Sequence, residues 1–404
     1  MSMADSGAGP LAGIRVLDLS TVVFGPLASQ VLAGYGAEVI KIEPPGGDST
    51  RYTGPAAEPG MAALFLACNH SKKSVVLDLK QPAAQEALHA LLAGADVLMY
   101  SMRPQKLAAL GLDHELLRSR YPGLVFVGLH GFGEAGPYAG RPAYDDIVQG
   151  MSGLADLMQR QTGEARYLPT IAADKTCALV AAHAILAALF VRERSGRGGF
   201  VEVPMFETMV GFNLVEHLYG MHFMPALSSA GYPRVLAPWR RPYRTLDGHV
   251  CMMPYTDAHW RRFFDAVGRA DLAQDARFAD QAGRTRHIAD LLEILSQHVA
   301  QHDTAHWLRT CEALEIPAAA VARMDDLPQD EHLQAVDFFA QVQDEVMGEL
   351  RFPRSPVRLD GKPGPVTMAP RLGQHTLELL RAAGLGDETL TRLQAESDNS
   401  TEYS

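Results

Sequence analysis

Over the first third of the chain, apolar residues fall in short, almost continuous runs separated by polar turns. Gly13-Ile-Arg-Val-Leu-Asp-Leu19 is such a run, and its length and branched side chains predict a buried strand. Gly25 and Pro26 follow, then helical spacing over 27–35 that Gly36 stops. The pattern predicts further strands over 37–42, 74–79, 96–100 and 124–129, with a helix over 82–92 and a turn-rich loop over 44–48. Strands alternating with helices imply parallel βαβ units and an open α/β sheet. Ligands of such sheets bind beyond the carboxyl ends of the strands, which directs attention to the loops after Leu19, Ile42, Tyr100 and Leu129.

The pattern changes near Ala173. A long helix is predicted over 176–193, closed by Ser195-Gly-Arg-Gly-Gly199, then a brief strand over 200–204 and a helix over 206–218. Residues 227–238 read as a linker, and 243–250 as a hairpin around the Asp247-Gly248 turn. Helical patterns over 258–267, 285–301 and 305–315 lead to Ile316-Pro-Ala-Ala-Ala-Val321. Strands near Leu350 and Val357 and a helix over 375–383 close the chain and are expected to return to the first domain. The expected organisation is a large α/β domain from 1–225 and 330–404, with a smaller α+β domain over 230–325.

Composition narrows the function classes. With 404 residues, 47% of them apolar and 21% charged, the chain can bury a sizeable core. A net charge of −11, from 36 basic and 47 acidic residues, argues against a nucleic-acid surface. The longest apolar stretch, over 177–191, is alanine-rich, carries His183 and reads as too short for a membrane span. The first ten residues lack the pattern of a secretory signal. Cys68, Cys177, Cys251 and Cys311 are scattered, with neither CxxC nor metal spacing, as in reduced cytoplasmic proteins. The expectation is a cytoplasmic protein with no metal.

Several runs, in order, resemble the family III CoA-transferases. They begin with 13–20 and Gly25-Pro26, then Gly36-Ala-Glu-Val-Ile-Lys-Ile-Glu43 with Gly47-Asp48, and 69–80. Arg103-Pro104 precedes Leu110-Gly-Leu112. Gly131-Phe-Gly133, Gly136-Pro137, Arg141-Pro-Ala-Tyr-Asp145, Gly153 and Ala173-Asp174 follow. Thr245, Asp247-Gly248, Ile316-Pro-Ala318 and Ala369-Pro-Arg-Leu-Gly-Gln-His-Thr376 complete the series. The resemblance implies a large Rossmann-like domain built from both chain ends, a smaller domain set into it, and two chains interlocked as an obligate homodimer. It also implies the activity: coenzyme A is moved from an acyl-CoA to a carboxylic acid, with no redox or metal cofactor and CoA as a carried substrate.

In that family an aspartate attacks the thioester, and its match here is Asp174, in Ile-Ala-Ala-Asp-Lys-Thr ahead of the long helix. Read without the family, an Asp at this place is most simply a helix N-cap. CoA phosphates call for cations and backbone N–H groups, for which Lys41, Lys72, Lys73, Arg103 and Lys106 are candidates. Arg103 ranks first by its motif, and Lys72-Lys73 reads equally as a solvated pair. Gly131 and Gly133 would bring amides towards the thioester oxygen, or merely form a turn. Gly25, Ser101 and Tyr144 occupy motif positions around the same expected site.

The chain departs from the formyl-CoA:oxalate pattern. Val23-Phe-Gly-Pro26 lacks the Gln expected there, Pro44 replaces an Arg, and Ser101 replaces an Asn. Trp239-Arg-Arg-Pro-Tyr243 stands where a glycine-rich lid is expected, and Arg240 and Arg241 are candidates for the free carboxylate of a dicarboxylic acid such as succinate. An α-methylacyl-CoA racemase is a rival, disfavoured because Tyr144 stands where its histidine would be and titrates near ~10. A nicotinamide enzyme lacks its G-x-G-x-x-G after Leu19. A non-catalytic acyl-CoA-binding protein remains the third reading.

Overall fold

The computed structural model describes residues 9–393. Contacts divide the chain into two units. Of the described residues, the first takes 9–152, Leu168–Val210 and 331–393; the second takes Gly153–Tyr167 and Gly211–Asp330.

The first unit is built on six parallel strands: β1 (Arg15–Leu19), β2 (Glu38–Glu43), β3 (Lys73–Val76), β4 (Val97–Tyr100), β5 (Val125–His130) and β6 (Phe200–Pro204). Their order is β3-β2-β1-β4-β5-β6, with Val16 opposite Val39 on one side and Val97 on the other. The strand order reverses between β1 and β4, and loops leaving these neighbours diverge to open a crevice there. Side chains alternate across the sheet. Leu17, Leu19, Ile40, Ile42 and Leu98 face a core closed by Ala84, Ala87, Leu88 and Leu91 of the helix Pro82–Leu92. On the other face, Asp18 accepts the Ser29 hydroxyl of the helix Phe24–Gly34, which packs along the long helix Ala172–Ser195. That long helix has the length and composition of a membrane span, but its face of Ala173, Cys177, Ala181 and Ile185 is buried against the fold.

Residues 331–393 belong to the first unit. Leu379 and Leu380 of the helix Thr376–Ala382 join the core under the sheet. Its docking is polar and specific. The Ser74 N–H donates to His375 Nδ1 at 3.2 Å, the Val76 N–H to Thr376 Oγ1 at 3.1 Å, and Arg51 to the Pro370 carbonyl at 3.3 Å.

The second unit pairs β7 (Tyr243–Arg244) antiparallel with β8 (His249–Met252), and β8 with β9 (Ala318–Ala320). Its core is aromatic, with Trp260, Phe263, Phe264, Phe278 and Trp307 around Leu291 and Leu295. The Trp307 indole N–H is satisfied by the Val299 carbonyl at 2.8 Å. Unlike the sequence reading, this unit begins with 153–167 as well as taking in 211–229. The helix Leu154–Thr162 buries no residue and is held instead by hydrogen bonds. Gln161 donates to the Val235 and Arg240 carbonyls at 3.1 and 3.2 Å, and Arg160 to that of Ala230 at 2.9 Å.

Candidate active site

Where β1, β4 and β5 end, a cleft of about 310 Å³ opens at the topological reversal of the sheet. Thr21 and Val22 follow β1, Ser101 and Arg103 follow β4, and Gly131 follows β5; Asp174 and Tyr144 line the same cleft. The Thr21 N–H donates to Ser101 Oγ at 3.2 Å, tying the two diverging loops together. Val22 holds φ 69, a costly left-handed conformation for a β-branched residue. The Asp48 carboxylate holds it there by accepting the Val22 N–H at 3.3 Å.

Asp174 is not the cap of the long helix. The helix begins at Ala172, and its N-cap, Ile171, supplies no side-chain bond. The cap comes from a different helix, Asp145–Met151: Asp145 Oδ1 accepts the N–H groups of Ala173 at 2.7 Å and Asp174 at 3.1 Å. Two of the orphan donors that every helix start leaves are thereby satisfied. Gln149 holds Asp145 in turn, donating to Oδ2 at 2.5 Å and to the Thr170 carbonyl at 3.2 Å, while accepting the Leu168 N–H at 2.9 Å. The Asp174 carboxylate is left with no protein hydrogen bond among the described residues. Burial pushes its pKa up to about 6, and the nearby Asp145 carboxylate adds to the rise. At neutral pH such a group is still mostly ionised, yet more basic and less solvated than an ordinary aspartate.

The other expected residues divide sharply. Arg103 lies exposed at the cleft with no acidic partner among the described residues. Lys106 is exposed on the helix Pro104–Ala109 and does not line the cleft. Lys41 is a correction: it is 0% exposed, 2.9 Å from Asp48, and donates to the Ser20 carbonyl at 2.8 Å. Lys72 is a second, since its ammonium is enclosed by Asp18, the Pro26 carbonyl and Asn69 at 3.3, 2.8 and 2.8 Å. Lys73 is a third; it starts β3, at the amino end of the sheet, and pairs with Glu38 at 2.7 Å. Lysines are buried only when paired, and these partners have already claimed them.

The glycines also divide. Gly133 donates its N–H to Glu207 Oε1 at 3.0 Å, so this amide is already engaged and does not serve an oxyanion. Gly131 serves close packing, because a Cβ there would meet the Ala143 Cβ at 2.4 Å. Gly25 lies buried in the helix Phe24–Gly34, where a Cβ would meet Ser20 Oγ at 2.0 Å. Tyr144 is 70% exposed at the cleft, immediately before Asp145.

Three titratable residues that line the cleft were not among the expected site residues. Arg141 stacks its guanidinium 4.4 Å from the Tyr138 ring and adds a second cation to the cleft. His130 ends β5; its Nδ1 lies 3.9 Å from Glu134, and its buried Nε2 has no hydrogen-bond partner among the described residues. Glu134 completes that side of the cleft. Arg141 opens the Arg141-Pro-Ala-Tyr-Asp145 run, whereas only a position at a strand end or in the glycine-rich loop marked His130 and Glu134 in the sequence. Among the described residues there is no cluster of His, Cys, Asp and Glu arranged to hold a metal.

Comparison with known proteins bears on this cleft. Residues 11–376 match the model of CoA-transferase family III. A probable fatty acyl-CoA transferase of Mycobacterium tuberculosis is 35% identical over 76% of this chain and 81% of its own. A succinate–glutarate CoA-transferase of Agrobacterium fabrum is 30% identical over 95% of this chain and 98% of its own. Among solved structures, a CaiB/BaiF family protein of Brucella suis superposes with a TM-score of 0.78 at 28% identity, covering 93% of this chain and all of its own.

Proposed function

The chain belongs to CoA-transferase family III and is a CoA-transferase, and from that premise we propose that Asp174 carries the transfer as a covalent nucleophile. Asp174 attacks the carbonyl carbon of an acyl-CoA; the C–S bond breaks, CoA leaves as thiolate, and a mixed anhydride forms. The thiolate then attacks the Asp174 carbonyl and expels the donor acid as a carboxylate, leaving an aspartyl-CoA thioester. The acceptor carboxylate repeats the first step on that thioester, and the returning thiolate releases the new acyl-CoA and the free Asp174. Atoms balance without water, metal or redox partner.

The observation that carries this reading is the Asp174 carboxylate itself. It is part-buried in the cleft, has no protein hydrogen bond among the described residues, and has a pKa raised to about 6. A nucleophile needs both a free lone pair and incomplete solvation, and this arrangement offers both. Arg103 and Arg141 are the cations offered to the CoA phosphates, and Ser101, Gly131 and Tyr144 also line the cleft. Succinyl-CoA as donor and a dicarboxylic acid as acceptor accord with the Agrobacterium relative's name. A cytoplasmic homodimer is the assembly proposed for it.

The test is mass spectrometry of the protein mixed with succinyl-CoA and quenched with hydroxylamine or borohydride. A modification mapped to Asp174 is expected. An unmodified Asp174 in a protein that exchanges the α-proton of a 2-methylacyl-CoA would replace this reading with that of a racemase.

A further inference from the structure

A second cavity, of about 430 Å³, is lined only by residues of the second unit. Its size is that of a small-molecule site. Leu292, Leu295, Met252, Pro254 and Pro317 give it apolar walls, and no acidic residue lines it. Three arginines do: Arg234, Arg240 and Arg241. Arg240 and Arg241 are exposed at the edge, the latter 4.6 Å over the Trp239 ring.

Arg234 is different. It is only 7% exposed, yet among the described residues it faces no carboxylate; its guanidinium meets the Met253 sulfur at 3.6 Å and the Tyr255 ring at 5.0 Å. A buried guanidinium is costly unless an anion and several acceptors meet it, and a thioether and a ring supply neither. The missing partner must be an anion, and the walls beyond it are suited to carbon. Beside Arg234, burial pushes the Tyr243 phenol up to about 12, so it keeps its proton at neutral pH.

We propose that this cavity binds a free carboxylic acid with an apolar body, its carboxylate on Arg234 with Arg240 and Arg241 at the rim and its chain against Leu292 and Leu295. A planar carboxylate matches the guanidinium fork, and the apolar walls discriminate against short polar diacids. The site is independent of the covalent role given to Asp174 above.

Cys251 provides a local reporter, since it lines this cavity and is exposed, whereas Cys68, Cys177 and Cys311 are buried. Iodoacetamide alkylation of the full-length protein, followed by peptide mass spectrometry, reads its accessibility. Millimolar hexanoate is expected to slow alkylation of Cys251, and hexanamide, equal in shape but uncharged, is not. Arg234→Met should weaken protection by roughly thirtyfold, as loss of one partner of a buried charge pair does. Should that variant fail to fold, the exposed double variant Arg240→Ala/Arg241→Ala should still weaken it severalfold. Asp174→Ala should protect as wild type does, so failure of the covalent reading leaves this one standing. Absence of protection, equal protection by hexanamide, undiminished protection in both arginine variants, loss of protection in Asp174→Ala, or protection by CoA but not by hexanoate would each overturn the proposal.

Discussion

Asp145 caps the helix that carries Asp174: its Oδ1 accepts the Asp174 N–H at 3.1 Å and the Ala173 N–H at 2.7 Å. One carboxylate thus does the structural work that the sequence position suggests for the other. The arrangement has an electrostatic consequence, because the capping charge sits beside a carboxylate already disfavoured as an anion by burial.

The pH dependence of transfer follows from that pair. If the ionised Asp174 attacks, kcat/KM should rise with pH through an acid limb near 6 and then level. Asp145→Asn keeps an acceptor for the two N–H groups while removing the neighbouring negative charge. The limb should therefore move to lower pH, with a stability loss of about 1–3 kcal/mol because the Gln149 amide loses its acceptor at Oδ2. A pH–rate profile of the variant that keeps the limb near 6 would show that burial alone sets it.

Asp174→Asn should abolish transfer and make the protein more stable at neutral pH. The sign comes from linkage. The folded state binds the Asp174 proton more tightly than the unfolded chain, whose value is near 3.8, so the group lowers stability as pH rises from about 4 to 6 and holds it lowered above. Asparagine removes that cost, which is on the order of 1–2 kcal/mol after allowing for partial solvation. Thermal melts at pH 7.5 should show a higher Tm for the variant, and the gain should fade towards pH 4. A lower Tm at pH 7.5 would mean that the carboxylate has a structural role.

Arg103 tests the binding side. Arg103 has no acidic partner among the described residues, so its removal frees no buried charge and Arg103→Ala should leave the melting temperature within about a degree or two of wild type. KM for the acyl-CoA should rise by about tenfold, the value of one charge-assisted bond to phosphate, with kcat little changed. The rise of KM with ionic strength should also be shallower in the variant. A drop in kcat at unchanged KM would place Arg103 at the reacting carbonyl instead.

The sheet was largely legible because its strands are buried on both faces and appear as continuous apolar runs, which is why 13–19 and 124–129 predicted β1 and β5 closely. Asp174 and Arg103 stood out through motif order. The cap supplied by Asp145 did not, because it joins residues 29 apart through backbone N–H groups that no side-chain pattern reports. The helix Leu154–Thr162 escaped assignment to the second unit for a related reason: hydrogen bonds from Arg160 and Gln161, rather than a buried apolar face, attach it. Lys41 and Lys72 looked like phosphate ligands because a lysine in a motif is normally a surface cation. Their surroundings assemble only in the fold: the loop after β2 turns back to set Asp48 2.9 Å from Lys41, whose register partner on β1, Asp18, also takes Lys72 from the segment just ahead of β3.

Those lysines give the last prediction. Burial opposes the charge on Lys41, yet Asp18 and Asp48 beside it hold its pKa above the ordinary value, so it is a cation locked between strand ends. Asp48 also fixes the strained Val22 at the cleft, so the pair links the buried network to the site. Lys41→Met leaves Asp48 buried without its cation and should cost about 3–5 kcal/mol. Lys41→Met/Asp48→Asn should recover part of that loss, because the Asn oxygen placed at Oδ1 still accepts the Thr50 N–H and lies within reach of the Val22 N–H at 3.4 Å, and the side chain carries no charge. In both variants the folded fraction should bind acyl-CoA with a KM within about threefold of wild type, since neither residue touches the cleft. Denaturant unfolding together with KM measured below the transition separates the alternatives. A stable Lys41→Met protein with a KM raised tenfold or more would return Lys41 to the phosphate site from which its burial removes it.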